Sequence, residues 1–400
     1  MRHILVVDDD PVTRAVICRN LEKWGYKTAS AENGVEALKI VKIGEISFVI
    51  SDWMMPEMDG LELCREIRKA DLPHYVYIIL LTAKSDKTEL VKGMETGADD
   101  FIAKPFNKRE LQVRINAGIR ILNLERNLEE RNQKLENAYS IIRKDLQAAA
   151  KMQIDLLPDT SSTISGIKFD WLFLPCTFVA GDIFNFFRLD KNHIGFYILD
   201  VAGHGIPSAM LSFSLSKMFT AGAFGNSESQ ECFQDSAFLK KMLSPANTLH
   251  ELNNRFQVDI DSDSTLYFTM SYGIVDLAQS KVRLSQAGQP PAILIKHNNE
   301  ALFIGEGGVP IGMFPDIKYE EYEFDFTAGD RLFVYSDGIT ECTNQMKCQF
   351  SQEKLLQRLS KWQKRSLSEL LSNLKEELHN WRSEKTFNDD VSIMAMECAI

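Results

Sequence analysis

The sequence predicts a multidomain chain: an α/β doubly wound domain, a long helical coiled-coil linker, and an α+β β-sandwich. Three observations carry this. Residues 1–106 alternate strand-like and helix-like segments, the pattern of a parallel sheet with helices on both faces. Residues 107–157 hold no glycine after Gly118 and no proline, and repeat apolar residues at 4,3 spacing. Beyond Pro158, strand-like runs in meanders dominate, with a few helices between them. A chain of 400 residues exceeds one compact core. The expected boundaries are 1–122, 123–157 and 158–400.

In the first region, ILVV (4–7) reads as a buried strand and VTRAVICRNLEKWG as a helix stopped by Gly25. A short strand at 26–30, helix ENGVEALKIVK, strand FVIS, helix LELCREIRK, strand YIILLT, helix KTELVKGMETG and strand DDFIAK follow. In such sheets ligand sites gather at the carboxyl ends of strands, where Asp8, Asp52, Thr82 and Lys104 all fall.

In the second region, Leu124, Leu128, Arg131, Leu135, Ala138, Ile142, Asp145, Ala149 and Met152 make an a/d seam of about four heptads, interrupted by Arg131 and Asp145. At 1.5 Å per residue the helix would be roughly 70 Å long. It could be an amphipathic helix lying on its own domain. No compact domain supplies so long a groove, so a parallel dimeric coiled coil is the expectation. In the third region, strands are expected at IKFDWLFLP, HIGFYILDV, TLYFTMSYGIVD, KVRLSQAG, AILIKH, ALFIG, EYEFDF, RLFVYSD and VSIMAMEC. Helices are expected at GIPSAMLSFSLSKMF, SPANTLHELNNRF, SQEKLLQRLSKWQ and SLSELLSNLKEELHNW. Asn298-Asn299 suits a hairpin turn.

Composition excludes several classes. A net charge of −11 without any Lys/Arg-rich run argues against a nucleic-acid partner. No apolar run approaches the roughly 20 residues that span a bilayer, so no membrane partner is expected. Seven scattered cysteines, none in a CxxC pair, suit thiols in a reducing compartment, and a cytoplasmic location is expected.

Four apolar runs each deliver an aspartate: Asp8, Asp52, Asp200 and Asp337. Asp8, Asp9 and Asp52 converge at one edge of the parallel sheet. Packed carboxylates repel unless a cation sits among them, and Mg²⁺ suits oxygen ligands. One carboxylate can then attack a phosphoryl donor and carry the group. Thr82 and Lys104 supply a hydroxyl and a cation for the transferred oxygens. Met54 can offer its backbone carbonyl to the metal. The motifs VVDDDP (6–11), DWMMPEMDG (52–60), LTAK (81–84) and GADDFIAKPF (97–106) together resemble the receiver domain of two-component response regulators, a flavodoxin-like fold. That resemblance implies phosphorylation of Asp52 by a histidine kinase, Mg²⁺ held by Asp8 and Asp9, and a readout through Thr82 and Phe101.

A second acidic set lies in VAGDIFNF (179–186), LDVAGHGIPSAM (199–210), YSDGITE (335–341) and FNDDVSI (387–393). Glycines beside Asp182, Asp200 and Asp337 let backbone approach an ion closely. All-oxygen ligands favour Mg²⁺ or Mn²⁺ over zinc. Two such ions can generate hydroxide and neutralise a phosphoryl group during in-line attack. With AAAKMQIDLLP (148–158), AGQPPAIL (287–294) and VPIGM (309–313), these segments resemble the metal-dependent PPM (PP2C-like) serine/threonine phosphatases, closest to the RsbU/SpoIIE-type bacterial branch.

By that resemblance Asp200 bridges two Mn²⁺ or Mg²⁺ ions, the Val201 carbonyl adds a ligand, and Asp182, Asp337 and Asp389 complete the site. Asp390 is an alternative to Asp389. Asn185 stands where the branch usually has aspartate, and Gln289 where it often has histidine. Animal relatives place a histidine where this chain has Ala202, so His204 is expected as a turn-stabilising residue rather than a proton donor. Asp276 suits a hairpin turn. The expected function is a response regulator whose Asp52 phosphorylation controls a phosphoserine/phosphothreonine protein phosphatase. Its expected substrate is a phosphorylated STAS-type anti-sigma-factor antagonist, and its expected state a homodimer through linker and receiver. The alternative is a non-catalytic adaptor that binds a sigma factor or its antagonist.

Overall fold

The computed structural model describes residues 3–83, 94–203, 205–223, 242–256, 267–382 and 386–399. Two compact units divide at Ile141 and Ile142.

The first unit is a five-stranded parallel sheet of order β2-β1-β3-β4-β5. Its strands are β1 (His3–Val7), β2 (Lys27–Ala31), β3 (Ile46–Asp52), β4 (Tyr77–Thr82) and β5 (Asp100–Ala103). Every residue of β4 is buried, as both-face coverage demands. Separate apolar clusters fill the two faces, one around Leu5, Val49 and Leu80 and the other around Val6, Ile50 and Leu81. Helices α1 (Pro11–Lys23), α2 (Gly34–Lys42) and α3 (Gly60–Lys69) start on side-chain caps from Asp10, Asn33 and Asp59. The expected helix KTELVKGMETG lies largely outside the described residues.

Helix α4 (Lys108–Ile154) has 47 residues. Its first turns bury Leu111, Ile115 and Leu122 in the first unit. Its last turn buries Gln153 in the second, and Leu157 follows into that core. Between these ends Leu124, Leu128, Leu135 and Ile142 are exposed.

The second unit is a sandwich of two antiparallel sheets, of order β14-β11-β10-β9-β8 and β13-β12-β15-β16-β7-β6. The first sheet holds β8 (Ile183–Arg188), β9 (His193–Val201), β10 (Phe268–Asp276), β11 (Lys281–Ala287) and β14 (Tyr322–Asp325). The second holds β6 (Ser162–Ile164), β7 (Ile167–Leu174), β12 (Ala292–Ile295), β13 (Ala301–Ile304), β15 (Arg331–Tyr335) and β16 (Val391–Cys398). The sheets meet where Phe169 stacks on Phe186 at 4.1 Å and Trp171 meets Phe184 at 5.3 Å between ring centroids. Helix α5 (Ile206–Ala223) lies on the five-stranded sheet, with Phe219 against Tyr197, and α6 (Pro245–Arg255) joins the same core. After the short α7 (Asp337–Thr340), helices α8 (Gln352–Lys361) and α9 (Leu367–Trp381) cover the six-stranded sheet through Leu355, Leu359, Leu370, Leu374 and Leu378.

Strands β8 and β6 were absent from the sequence reading; β8 lay hidden inside the motif VAGDIFNF. Asp276 holds the β10–β11 turn by accepting from the amides of Ala278 and Gln279. Asn299, at φ 72°, makes the turn between β12 and β13. Among the described residues no helix is long and apolar enough to cross a membrane.

Gly273 of β10 faces Phe196 of β9, and a Cβ there would lie 2.2 Å from the ring. Gly273→Ala should therefore destabilise the second unit by about 1–3 kcal/mol, measured as a lowered unfolding midpoint in denaturant. An unchanged midpoint would contradict this packing.

Candidate functional site

The first unit gathers its acidic residues where β1 and β3 end. Asp8 is fully buried and Asp9 exposed, and their carboxylates come with that of Asp52 within 4.8 Å of one another. Gly60 lets the following helix start against this strand end, since a Cβ there would sit 2.2 Å from the Asp52 carbonyl oxygen. Lys104 reaches in from the end of β5, its Nζ 3.0 Å from Asp8 Oδ2 and 2.8 Å from Asp52 Oδ1. Thr82 ends β4, buried, and its carbonyl accepts from the Lys104 amide at 2.6 Å. The Met54 side chain is exposed and Phe101 is half-buried on β5.

Burial pushes the Asp52 carboxyl up against the opposing pull of Lys104, and the charge of Asp8 adds to the rise. Lys104 is pulled down by burial, but its bonds to Asp52 and Asp8 win and its pKa rises. The ammonium is thus a resident counter-ion for two carboxylates.

The second unit brings Asp182, Asp200, Asp337, Asp389 and Asp390 near enough for their charges to act on one another, while Asp276 serves its hairpin turn and His204 lies outside the described residues. Asp182 precedes β8, Asp200 ends β9, Asp337 opens α7, and Asp389 precedes β16. Backbone contacts hold these segments together. A Cβ on Gly181 would lie 2.9 Å from the Val201 carbonyl oxygen and 3.4 Å from Asp200 Oδ1. A Cβ on Gly338 would lie 2.0 Å from the Asp390 carbonyl oxygen. Only glycine allows such approaches.

The carboxylates strain against one another. Burial, then the charges of Asp200 and Asp390, hold Asp182 well above the usual range. It is 1% exposed and neither oxygen has a hydrogen-bond partner. The Ser336 and Ser392 hydroxyls lie near enough to soften the shift, though neither bonds to it with good geometry. Asp200 is pushed up to about 8 by burial and by Asp337, Asp389 and Asp390. Asp337 is pushed up to about 6 by burial, Asp389 and Glu341.

A buried carboxylate without a donor is costly. Several sharing one pocket fit a divalent cation with oxygen ligands. The donor set therefore suits Mg²⁺ or Mn²⁺, with Asp182, Asp200, the Val201 carbonyl, Asp337 and Asp389 available.

The adjacent aspartates differ in employment. Asp390 is buried, and its two oxygens accept from the amides of Cys176 at 2.8 Å and Gly181 at 2.7 Å. Asp389 is exposed and accepts from the Asp390 amide at 2.8 Å. Cys176, overlooked in the sequence, lies with both aspartates within 4.8 Å. Its thiol is pushed up to about 12 by burial and by the neighbouring carboxylates.

Asn185 folds back to accept from the Phe186 amide at 2.8 Å. Gln289 donates to Thr269 Oγ1 at 2.7 Å, and that hydroxyl donates to the Asp200 carbonyl at 3.4 Å. Gln153 lies within AAAKMQIDLLP (148–158), where the sequence assigns it no role of its own. Its Oε1 accepts from the Ala180 amide at 2.9 Å, and its Nε2 donates to the carbonyls of Ala180 and Asp182 at 2.9 and 3.3 Å.

A family model described as Stage II sporulation protein E (SpoIIE) matches residues 190–399. One described as response regulator receiver domain matches residues 4–116. The solved SiaA-PP2C domain of Pseudomonas aeruginosa superposes with a TM-score of 0.53 at 18% identity, covering 65% of this chain and 98% of its own. That likeness is one of fold, and it makes the second unit PP2C-like. A probable transcriptional regulator ycf27 of Cyanidium caldarium is 41% identical over 155 residues, 38% of this chain and 57% of the relative. The phosphate regulon transcriptional regulatory protein PhoB of Pseudomonas aeruginosa is 39% identical over 117 residues, 29% of this chain and 51% of the relative. The chain spans about half the length of these curated relatives.

The raised pKa of Asp200 has a signed consequence. Between its ordinary value of 3.8 and about 8, the folded metal-free chain holds a proton that the unfolded chain has released. The stability tied to this group is therefore complete below pH 3.8 and lost as pH rises through about 8. Metal-free Asp200→Asn should gain stability relative to the metal-free wild type between pH 5 and pH 8.5. With saturating Mn²⁺ the wild type should be the more stable. Calorimetric unfolding of both chains measures this, and a pH-independent gap would contradict it.

Proposed function

The chain belongs to the SpoIIE family and carries a response-regulator receiver domain, and from that premise we propose that it is a phosphorylation-controlled, metal-dependent protein phosphatase. In this reading Asp52 accepts a phosphoryl group from a histidine kinase. The second unit hydrolyses phosphoserine or phosphothreonine on an anti-sigma-factor antagonist of the STAS type. The observation that carries the reading is the Asp182 carboxylate, buried without a hydrogen-bond donor among other carboxylates. An inert scaffold has no use for such a group.

The roles follow from the chemistry of the side chains. In the receiver, Asp8, Asp9 and the Met54 carbonyl are the groups for Mg²⁺. An Asp52 oxygen would attack the phosphorus of the kinase's phosphohistidine, the N–P bond breaking as the imidazole leaves, while Lys104 and Thr82 meet the oxygens of the transferred group. In the second unit, Asp182, Asp200, the Val201 carbonyl, Asp337 and Asp389 are the groups that would hold the divalent ions. When bound, such ions supply hydroxide from water at neutral pH and neutralise the phosphoryl oxygens. The chain's own part is to hold these four carboxylates and the Val201 carbonyl still. Asp390 acts on the backbone of Cys176 and Gly181, leaving Asp389 as the ligand.

The exposed seam of α4 supports a parallel homodimer. Leu124, Leu128, Leu135 and Ile142 recur at heptad positions and face solvent in the single chain. Phosphorylated Asp52 would alter the receiver pair, and the paired helices would carry that change onward.

Two experiments test these statements. With Mn²⁺, the protein should hydrolyse p-nitrophenyl phosphate and a phosphoserine antagonist. Asp200→Asn or Asp337→Asn should lower kcat/KM by more than the roughly 10–100-fold typical of losing an outer-sphere partner. Equal rates in wild type and Asp337→Asn would instead favour a docking role. The double variant Leu128→Asp, Leu135→Asp should sediment as a monomer and lose its response to beryllofluoride. A dimer that responded normally would sink the coiled-coil reading.

A further inference from the structure

No hydrogen bond of good geometry fixes Asp182, although the Ser336 and Ser392 hydroxyls lie near it. Both oxygens lack a hydrogen-bond partner, and the strongest influences on it are burial and the charges of Asp200 and Asp390. Repulsion alone would drive its carboxylate out of the cluster. Its place is set by the backbone of residues 180–182, which is held from two sides. On one side Asp390 accepts from the Gly181 amide at 2.7 Å. On the other, Gln153 takes the Ala180 amide at 2.9 Å and gives its two amide hydrogens to the carbonyls of Ala180 and Asp182 at 2.9 and 3.3 Å.

The two ends of this carboxamide are thereby committed to one loop. Gln153 is 1% exposed, while Met152 and Ile154 on either side of it are exposed. A flexible polar side chain is buried only where its hydrogen bonds are made. At the last turn of α4 it does so on the three residues that carry Asp182.

We infer that Gln153 is a positioning residue for the metal site: its carboxamide fixes the Ala180–Asp182 backbone, and so sets the affinity of the site for its divalent cation. A glutamine is needed because the loop presents both an amide and carbonyls, and no carboxylate or aliphatic side chain answers both. The inference rests on the reading of Asp182 as a metal ligand.

The test is direct Mn²⁺ binding by isothermal titration calorimetry. It uses the full chain carrying Asp8→Asn and Asp9→Asn, so that the receiver site does not contribute. Gln153→Met should weaken Mn²⁺ binding by roughly 10–100-fold. Leu157→Ala removes apolar packing from the same core; it should lower the unfolding temperature and leave Mn²⁺ affinity at the reference value.

Reference affinity in Gln153→Met, or an equal loss in Leu157→Ala, would overturn the positioning role. If Gln153→Met does not fold, Gln153→Glu is judged by the same criterion, since it keeps an acceptor for Ala180 and loses both donors. Asp182→Asn separates the two levels. If it weakens binding while Gln153→Met does not, only this inference fails. If it leaves binding unchanged, the metal reading of the site fails as well.

Discussion

Mutual repulsion among buried carboxylates is the constraint on which the second unit is built. The charges of Asp200 and Asp390 raise the pKa of Asp182, those of Asp337, Asp389 and Asp390 raise that of Asp200, and that of the exposed Asp389 raises that of Asp337. Side chains that repel cannot assemble themselves. The work passes to the backbone, which explains why glycines touch carbonyls at two seams of the site and why Asp390 and Gln153 are spent on main-chain amides and carbonyls. The sandwich around them fixes four chain segments, far apart in sequence, to a common point. Two sheets with helices on their outer faces provide that rigidity.

The two acidic sites solve the same electrostatic problem differently. In the receiver, Lys104 bonds two carboxylates at once, and neutralisation is built into the chain. At the second site the strongest influences on Asp182, Asp200 and Asp337 are burial and other carboxylates. One site carries a neutralising ammonium of its own, and at the other the carboxylates chiefly meet one another. Sites of these two kinds suit, respectively, a group that is loaded and unloaded as a signal and a centre that works only when charged with metal.

Much of this was legible in the sequence because the informative residues are clustered in short motifs. Strands such as β9 and β11 announced themselves as apolar runs with turn residues at their ends. Asp8, Asp52, Thr82 and Lys104 fell at strand ends, where parallel sheets place their ligands. What stayed hidden depended on contacts across long sequence distances. Asp389 and Asp390 are indistinguishable as letters, and only the amides of Cys176 and Gly181, more than two hundred residues earlier, tell them apart. Strand β8 was obscured because its first residues were read as a ligand motif. Gln153 stands inside AAAKMQIDLLP with nothing to single it out; what marks it is its burial between exposed neighbours, which a sequence does not display.

The double ion pair of Lys104 carries a thermodynamic consequence of its own. A divalent ion entering the receiver pocket meets carboxylates already engaged with an ammonium, so its binding free energy is a difference between two partnerships rather than the full attraction of bare charges. On the proposed reading the pocket would act as an exchanger, taking up and giving back its ion on small changes in the balance, and a phosphoryl group on Asp52 would shift that balance by giving the same lysine a third set of oxygens to choose from.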